Sequence, residues 1–284
     1  MILLDGKKLS QKILAEVKGE IEKIGRPLRL AVIVVGKNPV VEKFVEQKKK
    51  AAESIGIDVE MFVFNGMIAG EELLRETRKI VASKEYAGVI VQLPLPPHIE
   101  RVNILNAIPP AKDIDVLSSC AIGNFIAGNH LVLPPVAGAA QAFFEEHKIP
   151  YKEKQIVIAG AGHLVGKPVA LWLLSEGATF TMVTGATQNP GDILRQADII
   201  ISGTGTPCWI TGDMVKEGVV VIDAGTSESE GEIAGDVDFE SVAKKALFIT
   251  PVPGGVGPVT IAILLSNLVV LAGSKDYSPR IRSQ

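Results

Sequence analysis

Short β-branched runs alternate with stretches of helical spacing along almost the whole chain, and this alternation narrows the possible folds more than any single motif. Leu30 to Val35 is one such run, ended by Gly36. Val40 to Ser54 has helical spacing, and Gly56 closes it as a C-terminal cap. Val59 to Phe64 reads as a second strand, Glu71 to Ala82 as a helix, and Gly88 to Val91 as a third strand stopped by Leu93-Pro94-Leu95-Pro96-Pro97. Glu100 to Ile108 is a short helix halted by Pro109-Pro110. Residues 111–133 have weak periodicity and read mainly as loop, followed by a helix from about Val136 to His147. After the polar link Pro150 to Lys154, strands at Gln155–Ala159, Thr179–Val183, Ile199–Ser202, Val219–Ile222 and Leu247–Ile249 again alternate with helices or loops. Alternation of this kind predicts an α/β fold whose parallel sheets are covered on both faces. At 284 residues it implies two α/β domains, the second a Rossmann-like, doubly wound parallel sheet.

Composition removes several classes of function. Hydrophobic residues make up 47% and charged residues 21%, which suits a well-cored globular protein. A net charge of −3 argues against a general nucleic-acid or anionic-membrane surface. Lys48-Lys49-Lys50 is the conspicuous basic run, and such runs are usually a solvated face. Cys120 and Cys208 are too far apart in sequence to suggest a disulfide framework or metal spacing, and the four histidines are scattered. No metal is expected. Asp5, Gly6, Lys7 and Lys8 interrupt Met1 to Leu4 early, unlike a signal peptide. The apolar helix around Ile261 to Ala272 is too short to span a bilayer. The expected setting is the cytoplasm, without membrane or nucleic-acid partners.

Gln155 to Ala159 runs into Gly160-Ala161-Gly162-His163-Leu164-Val165-Gly166-Lys167-Pro168. A strand, a glycine turn and a helix form the arrangement in which a dinucleotide pyrophosphate sits over backbone N–H groups at a helix start. The spacing is G-x-G-x-x-x-G, and its bland reading is a tight strand-to-helix turn. The next strand ends Val183-Thr184-Gly185-Ala186-Thr187, with neither the acid expected for NAD nor an arginine for a 2′-phosphate. Thr184, Thr187 and Gln188 suit either ribose form, so the residues leave NADP and NAD both open.

A second turn, Pro251-Val252-Pro253-Gly254-Gly255-Val256-Gly257-Pro258, joins a short strand to a long apolar helix beginning near Pro258. Glycine permits close approach of a ligand to the backbone, and proline stiffens the turn. On the earlier helix, Val41, Phe44 and Lys48 fall on one face. Lysine acts as an acid/base when burial or neighbouring charge, here offered by Lys49 and Lys50, lowers its pKa. Gln92 ends the third strand, and Asp115 lies in the carboxylate-rich loop Lys112-Asp113-Ile114-Asp115. Each is ordinary alone. Together a lysine, an amide and a carboxylate suit a polar, pterin-like ring and the transfer of one proton.

These stretches are collinear. The lysine helix (Gly36 to Lys50), Val91-Gln92-Leu93-Pro94-Leu95-Pro96, Lys112-Asp113-Ile114-Asp115, the glycine turn ending Val165-Gly166-Lys167-Pro168, and Ile249 to Thr260 resemble the bifunctional methylenetetrahydrofolate dehydrogenase/methenyltetrahydrofolate cyclohydrolase family. The resemblance covers nearly the whole chain. It implies oxidation of 5,10-methylenetetrahydrofolate by NADP, with NAD as the alternative, then hydrolysis to 10-formyltetrahydrofolate at the same site. It also implies a homodimer in one-carbon metabolism and purine biosynthesis, with a cleft between two domains: a folate-binding one of residues 1–138 and 261–284, and an NAD(P)-binding one of residues 139–260. By position, Lys48 matches the general acid/base, held by Gln92, and Asp115 the carboxylate that binds the pterin. Phe44, Gly254, Gly257 and Pro258 match folate-binding positions. Gly160, Ala161, Gly162, Val165, Gly166, Thr184, Gly185, Thr226 and Thr260 match the cofactor side. Leu93-Pro94 and Val252-Pro253 are cis candidates on the same analogy.

The departures from the family pattern carry information. Phe44 stands where most members have tyrosine, and Val41 where they have serine. Phenylalanine keeps a stacking face and loses a hydrogen bond, which predicts that the dehydrogenase step survives better than hydrolysis. Ala161, Gly162 and Gly185 replace an arginine and two serines, weakening the grip on a 2′-phosphate. Two rival readings are a shikimate-type dehydrogenase on the same two-domain plan, and a catalytically silent nucleotide-binding relative.

Overall fold

The computed structural model describes residues 1–229 and 232–273. In chain order its elements are β1 (Ile2–Leu3), α1 (Gly6–Ile24), β2 (Leu28–Val35), α2 (Pro39–Ser54), β3 (Ile57–Phe64), α3 (Gly70–Ala82), β4 (Gly88–Val91), α4 (Arg101–Leu105), α5 (Ser119–Ile126) and α6 (Pro135–Glu146). There follow β5 (Ile156–Ala159), α7 (Gly166–Ser175), β6 (Phe180–Val183), α8 (Pro190–Leu194), β7 (Ile199–Ser202), β8 (Val220–Asp223), β9 (Ser227–Ser229), β10 (Glu232–Ala234), α9 (Phe239–Val242), β11 (Phe248–Ile249) and α10 (Val256–Leu271). They divide into two compact units. One comprises Lys12–Pro135 and the chain from Ile261; the other comprises Met1–Gln11 and Val136–Thr260.

In the first unit β2 lies between β3 and β4, all parallel, with Leu30 opposite Gly88 and Ile33 opposite Val91. β4 is buried along its length and β2 nearly so, as strands covered on both faces require, whereas the edge strand β3 carries Asp58 and Glu60, which pair with Arg29 of β2. Ala31, Ile33, Val89 and Val91 meet Leu73 and Ile80 of α3 and Ile104 and Leu105 of α4 in one core. Gly88 is glycine for room: a Cβ there would lie 2.8 Å from Ile114 and 3.2 Å from Leu268 of α10.

One element departs from the sequence expectation of loop over residues 111–133. Residues 119–126 form α5, started by the Ser118 hydroxyl, which accepts from the Ala121 N–H. The N-cap supplies an acceptor for an otherwise orphaned donor. A helix of this length is too short to show a convincing period.

In the second unit six parallel strands take the order β1-β11-β8-β7-β5-β6. β5, β7 and β8 are buried along their whole lengths. Two residues at the start of the chain extend the sheet, Ile2 opposite Phe248 and Leu3 opposite Ile249. The order sends the chain from β5 outward to β6, then back across β5 to β7. A ligand crevice at such a sheet opens where the order reverses, at the carboxyl ends of the strands. Here that point lies between the ends of β5 and β7.

Candidate active site

The proton-handling candidates gather in the first unit. Lys48 Nζ donates to Gln92 Oε1 at 2.9 Å. Gln92 stands one residue past β4, and its backbone N–H remains tied to the Ile33 carbonyl of β2. Its side-chain Nε2 donates to the Leu93 carbonyl at 2.8 Å. With the amide nitrogen so engaged, the amide oxygen faces the lysine. Leu93-Pro94 is cis, as is Val252-Pro253 in the other unit. Val41 and Phe44 are partly buried on α2, Phe44 one turn before Lys48.

The two aspartates of Lys112-Asp113-Ile114-Asp115 have different partners. Buried Asp113 accepts from the Ser118 N–H at 2.8 Å and the Leu117 N–H at 3.1 Å, so it shapes the loop. Asp115 answers to Lys48. Burial pushes its carboxyl above the usual range, the Lys48 charge pulls it back, and the Asp113 charge raises it again. Asn267 of α10 fixes the same loop from behind, its Nδ2 donating to the Ile114 and Leu133 carbonyls at 2.8 Å each. Lys49 and Lys50, the other two lysines of the run, have acidic neighbours on their own helix. They pair along α2 with Glu53 at 3.8 Å and Glu46 at 3.3 Å.

On the second unit's side the glycines fall into two kinds. Gly166 opens α7 so close to the preceding turn that a Cβ would lie 1.9 Å from the Gly160 carbonyl oxygen. Gly160 itself has φ +98°, and a Cβ there would lie 2.4 Å from the Gly203 carbonyl. By contrast Gly162 has one atom near its Cβ position, at 3.9 Å, and Gly185 has none within 4 Å. The crowded pair is needed to build the turn; the open pair leaves space above it. An exposed turn at a helix N-terminus, open at the switch point, fits a dinucleotide. Ala161 is exposed and Val165 partly so, beside Gly203. Thr184 and Thr187 hold their own turn, the Thr187 hydroxyl accepting from the Thr184 N–H at 2.9 Å. Thr226 is exposed three residues past β8.

The Pro251–Pro258 turn shows the same division. Gly254 has φ +106°, and a Cβ on Gly255 would lie 2.4 Å from the Pro251 carbonyl. Gly257 is open, with nothing within 4 Å. Helix α10 starts at Val256, so Pro258 lies at its third residue and not at its first. That position is tolerated because the first N–H groups of a helix have no intrahelical acceptor. The Thr260 hydroxyl donates to the Gly257 carbonyl at 2.7 Å.

Two groups went unseen in the sequence. The loop Gly203-Thr204-Gly205-Thr206 after β7 forms the other bank of the crevice, and Asp236 holds it. A G-x-G directly after an apolar run was the available signal, but its meaning depends on β7 lying beside β5.

A doubly wound sheet with a glycine turn at its reversal point, in one chain with a second α/β unit bearing a lysine, an amide and a carboxylate, defines a two-domain nicotinamide-dependent dehydrogenase. Comparison with known proteins takes the assignment further. Residues 4–115 match the catalytic domain of tetrahydrofolate dehydrogenase/cyclohydrolase, and residues 134–276 match its NAD(P)-binding domain. The chain is 40% identical over 286 residues to the bifunctional protein FolD of Nautilia profundicola, covering 99% of this chain and 100% of that one. The crystal structure of the FolD methylenetetrahydrofolate dehydrogenase/cyclohydrolase of Campylobacter jejuni superposes with a TM-score of 0.91 at 41% identity, over 96% of this chain and 98% of that one. The Trypanosoma brucei enzyme, solved with NADP and an inhibitor, gives a TM-score of 0.91 at 34% identity over 96% and 97%. This chain belongs to the tetrahydrofolate dehydrogenase/cyclohydrolase family, and it is both an oxidoreductase and a hydrolase.

Proposed function

We propose that the enzyme oxidises 5,10-methylenetetrahydrofolate to the 5,10-methenyl form with NADP and then hydrolyses that product to 10-formyltetrahydrofolate. The observation that carries this reading is the Lys48–Gln92 hydrogen bond at 2.9 Å with the Asp115 carboxyl within the field of the same lysine. When bound, NADP supplies the acceptor for the hydride leaving the methylene carbon. The protein contributes position: the Gly160–Gly166 turn, Thr184, Gly185, Thr226 and Thr260 are the groups assigned to hold the dinucleotide. Phe44, Asp115, Gly254, Gly257 and Pro258 are assigned to the folate. Orientation alone supplies a large share of the acceleration for transfer between two flat rings.

Hydrolysis makes the heavier demand on side chains. Water adding to the methenyl carbon must lose a proton, and the bond from that carbon to N5 must then break with N5 gaining one, leaving the formyl group on N10; both transfers are assigned to Lys48 Nζ. Gln92 fixes the direction in which Nζ points, because its own amide is held by the Leu93 carbonyl. Asp115 offers its carboxyl to the N–H edge of the pterin. We place the enzyme in the cytoplasm as a homodimer serving one-carbon supply for purine biosynthesis.

The test is direct. Purified enzyme is given 5,10-methylenetetrahydrofolate with NADP or NAD, and methenyl absorbance and reduced nicotinamide are followed together. The expected result is turnover with a lower KM for NADP than for NAD, then decay of the methenyl signal faster than in buffer. No reduction of either cofactor would sink the reading.

A further inference from the structure

Asp236 is fully buried in the second unit, two residues beyond the end of β10. Its Oδ2 accepts from the Ser202 hydroxyl at 2.7 Å and the Thr204 N–H at 2.5 Å. Its Oδ1 accepts from the Gly205 N–H at 3.1 Å and the Thr206 N–H at 3.2 Å. Three successive backbone N–H groups converging on one point form a nest of the kind that binds anions. Here the anion is a side chain of the protein itself. The packing is built for it: a Cβ on Gly225 would lie 2.5 Å from the Asp236 carboxyl carbon.

The backbone around Asp236 is itself held by a second buried carboxylate. Asp223, at the end of β8, accepts from the Gly225 and Asp236 N–H groups at 2.9 and 3.2 Å and from the Val237 N–H at 3.1 Å. Two carboxylates thus run in series from β8 to the loop after β7. That loop is wedged against the glycine turn, since a Cβ on Gly203 would lie 2.3 Å from Val165 Cγ1. Burying two carboxylates is costly unless each is fully hydrogen-bonded. A core needing only bulk would use apolar residues.

We infer that Asp236 is a positioning residue for cofactor binding. It fixes the Gly203–Thr206 bank of the crevice in one shape without help from the dinucleotide. By occupying the three N–H groups of that bank, it leaves the Gly160–Gly166 turn as the place for the pyrophosphate. The inference rests on the reading that this crevice takes NADP.

The test compares wild type with Asp236→Asn, whose amide offers one acceptor oxygen and turns a donor toward donors. The dissociation constant for NADP, followed by calorimetry, is expected to rise at least tenfold, and the KM for NADP with it. At saturating NADP kcat should fall less than threefold, and hydrolysis of methenyltetrahydrofolate, which consumes no cofactor, should change less than twofold. An unchanged NADP affinity overturns the inference. So does a parallel loss of affinity and hydrolysis, which marks a merely structural role. Should the variant fail to fold, hydrogen exchange on cofactor-free wild type decides. Slow exchange at Thr204, Gly205 and Thr206 supports the prior fixing of the loop, and exchange as fast as in an open loop overturns it. A wild-type enzyme that binds neither NADP nor NAD fails earlier: it defeats the cofactor reading itself, and this inference with it.

Discussion

In the unit of residues 12–135 the candidate groups are mostly side chains: Lys48 from within α2, Gln92 one residue past β4, and Asp115 from the loop before α5. In the unit of residues 136–260 they are mostly backbone. Glycines make room there, and buried carboxylates arrange N–H groups without facing a ligand themselves. The contrast follows from the two tasks. Moving a proton requires a titratable atom whose neighbours set its affinity for that proton. Holding a dinucleotide requires N–H groups and empty space, so the relevant residues are those that keep side chains away.

Substitutions should therefore separate the two activities in opposite directions. The largest effect is expected from Lys48→Met, nearly isosteric and unable to titrate. Hydrolysis should fall by about 10²–10⁴, the range that general acid/base groups supply, with the NADP dissociation constant unmoved. A fully active variant would remove the lysine from the mechanism. Gly166→Ala should do the reverse. Its Cβ would lie 1.9 Å from a backbone oxygen, which cannot swing aside as a side chain does. NADP affinity should weaken by about 100-fold, through overpacking worth ~1–3 kcal/mol, while folded protein still hydrolyses methenyltetrahydrofolate. Tight NADP binding by this variant would break the comparison.

Acidity gives a smaller, graded effect. Burial pushes the Asp223 carboxyl from 3.8 up to about 6, with the Asp236 charge adding to the rise and three backbone N–H groups opposing it. The folded protein then holds this proton more tightly than the unfolded chain does. Stability from this group is complete below pH 3.8, falls as pH rises toward 6, and levels off above it. Between pH 5 and 7.5 wild type should lose roughly 1–1.5 kcal/mol that Asp223→Asn does not lose, by the linkage relation. Urea unfolding of both proteins at the two pH values measures the difference, and parallel behaviour would refute the assignment. The smallest effect belongs to Phe44→Tyr. Restoring a phenol one turn from Lys48 should raise hydrolysis about fivefold, the worth of one hydrogen bond of ~1 kcal/mol, and leave dehydrogenation nearly unchanged. Equal hydrolysis by the two proteins would show that the missing hydroxyl is irrelevant.

Much of this was legible in the amino-acid order, for reasons that differ by element. β4 and β5 are continuous apolar runs, and β2 and β7 contain the apolar runs Leu30–Val35 and Ile199–Ile201, each with glycine or proline soon beyond, so their edges are written locally. β1 has two residues and exists because Phe248 and Ile249 offer it an edge, which no local pattern reveals. Helix α5 depends on a serine cap within an irregular stretch. At the site, Lys48 stood out by sharing a helix face with Val41 and Phe44, Gln92 by ending a strand, and Asp115 by its carboxylate-rich loop. Asp236 did not, because its meaning comes from N–H groups about 30 residues earlier in the chain that only the strand order brings near. Lys49 and Lys50, expected as tuning charges for Lys48, have glutamates one turn away on their own helix.

The amide of Asn267 has a consequence for the order of events during synthesis. Lys48, Gln92 and Asp115 are all made in the first half of the chain. The carbonyl of Ile114, beside Asp115, is nonetheless tethered by a residue 153 positions later. A nascent chain that has emerged past its glycine turns already contains every candidate catalytic group, yet lacks the tether that sets one of them. Activity should thus switch on late in translation, when the last apolar helix arrives.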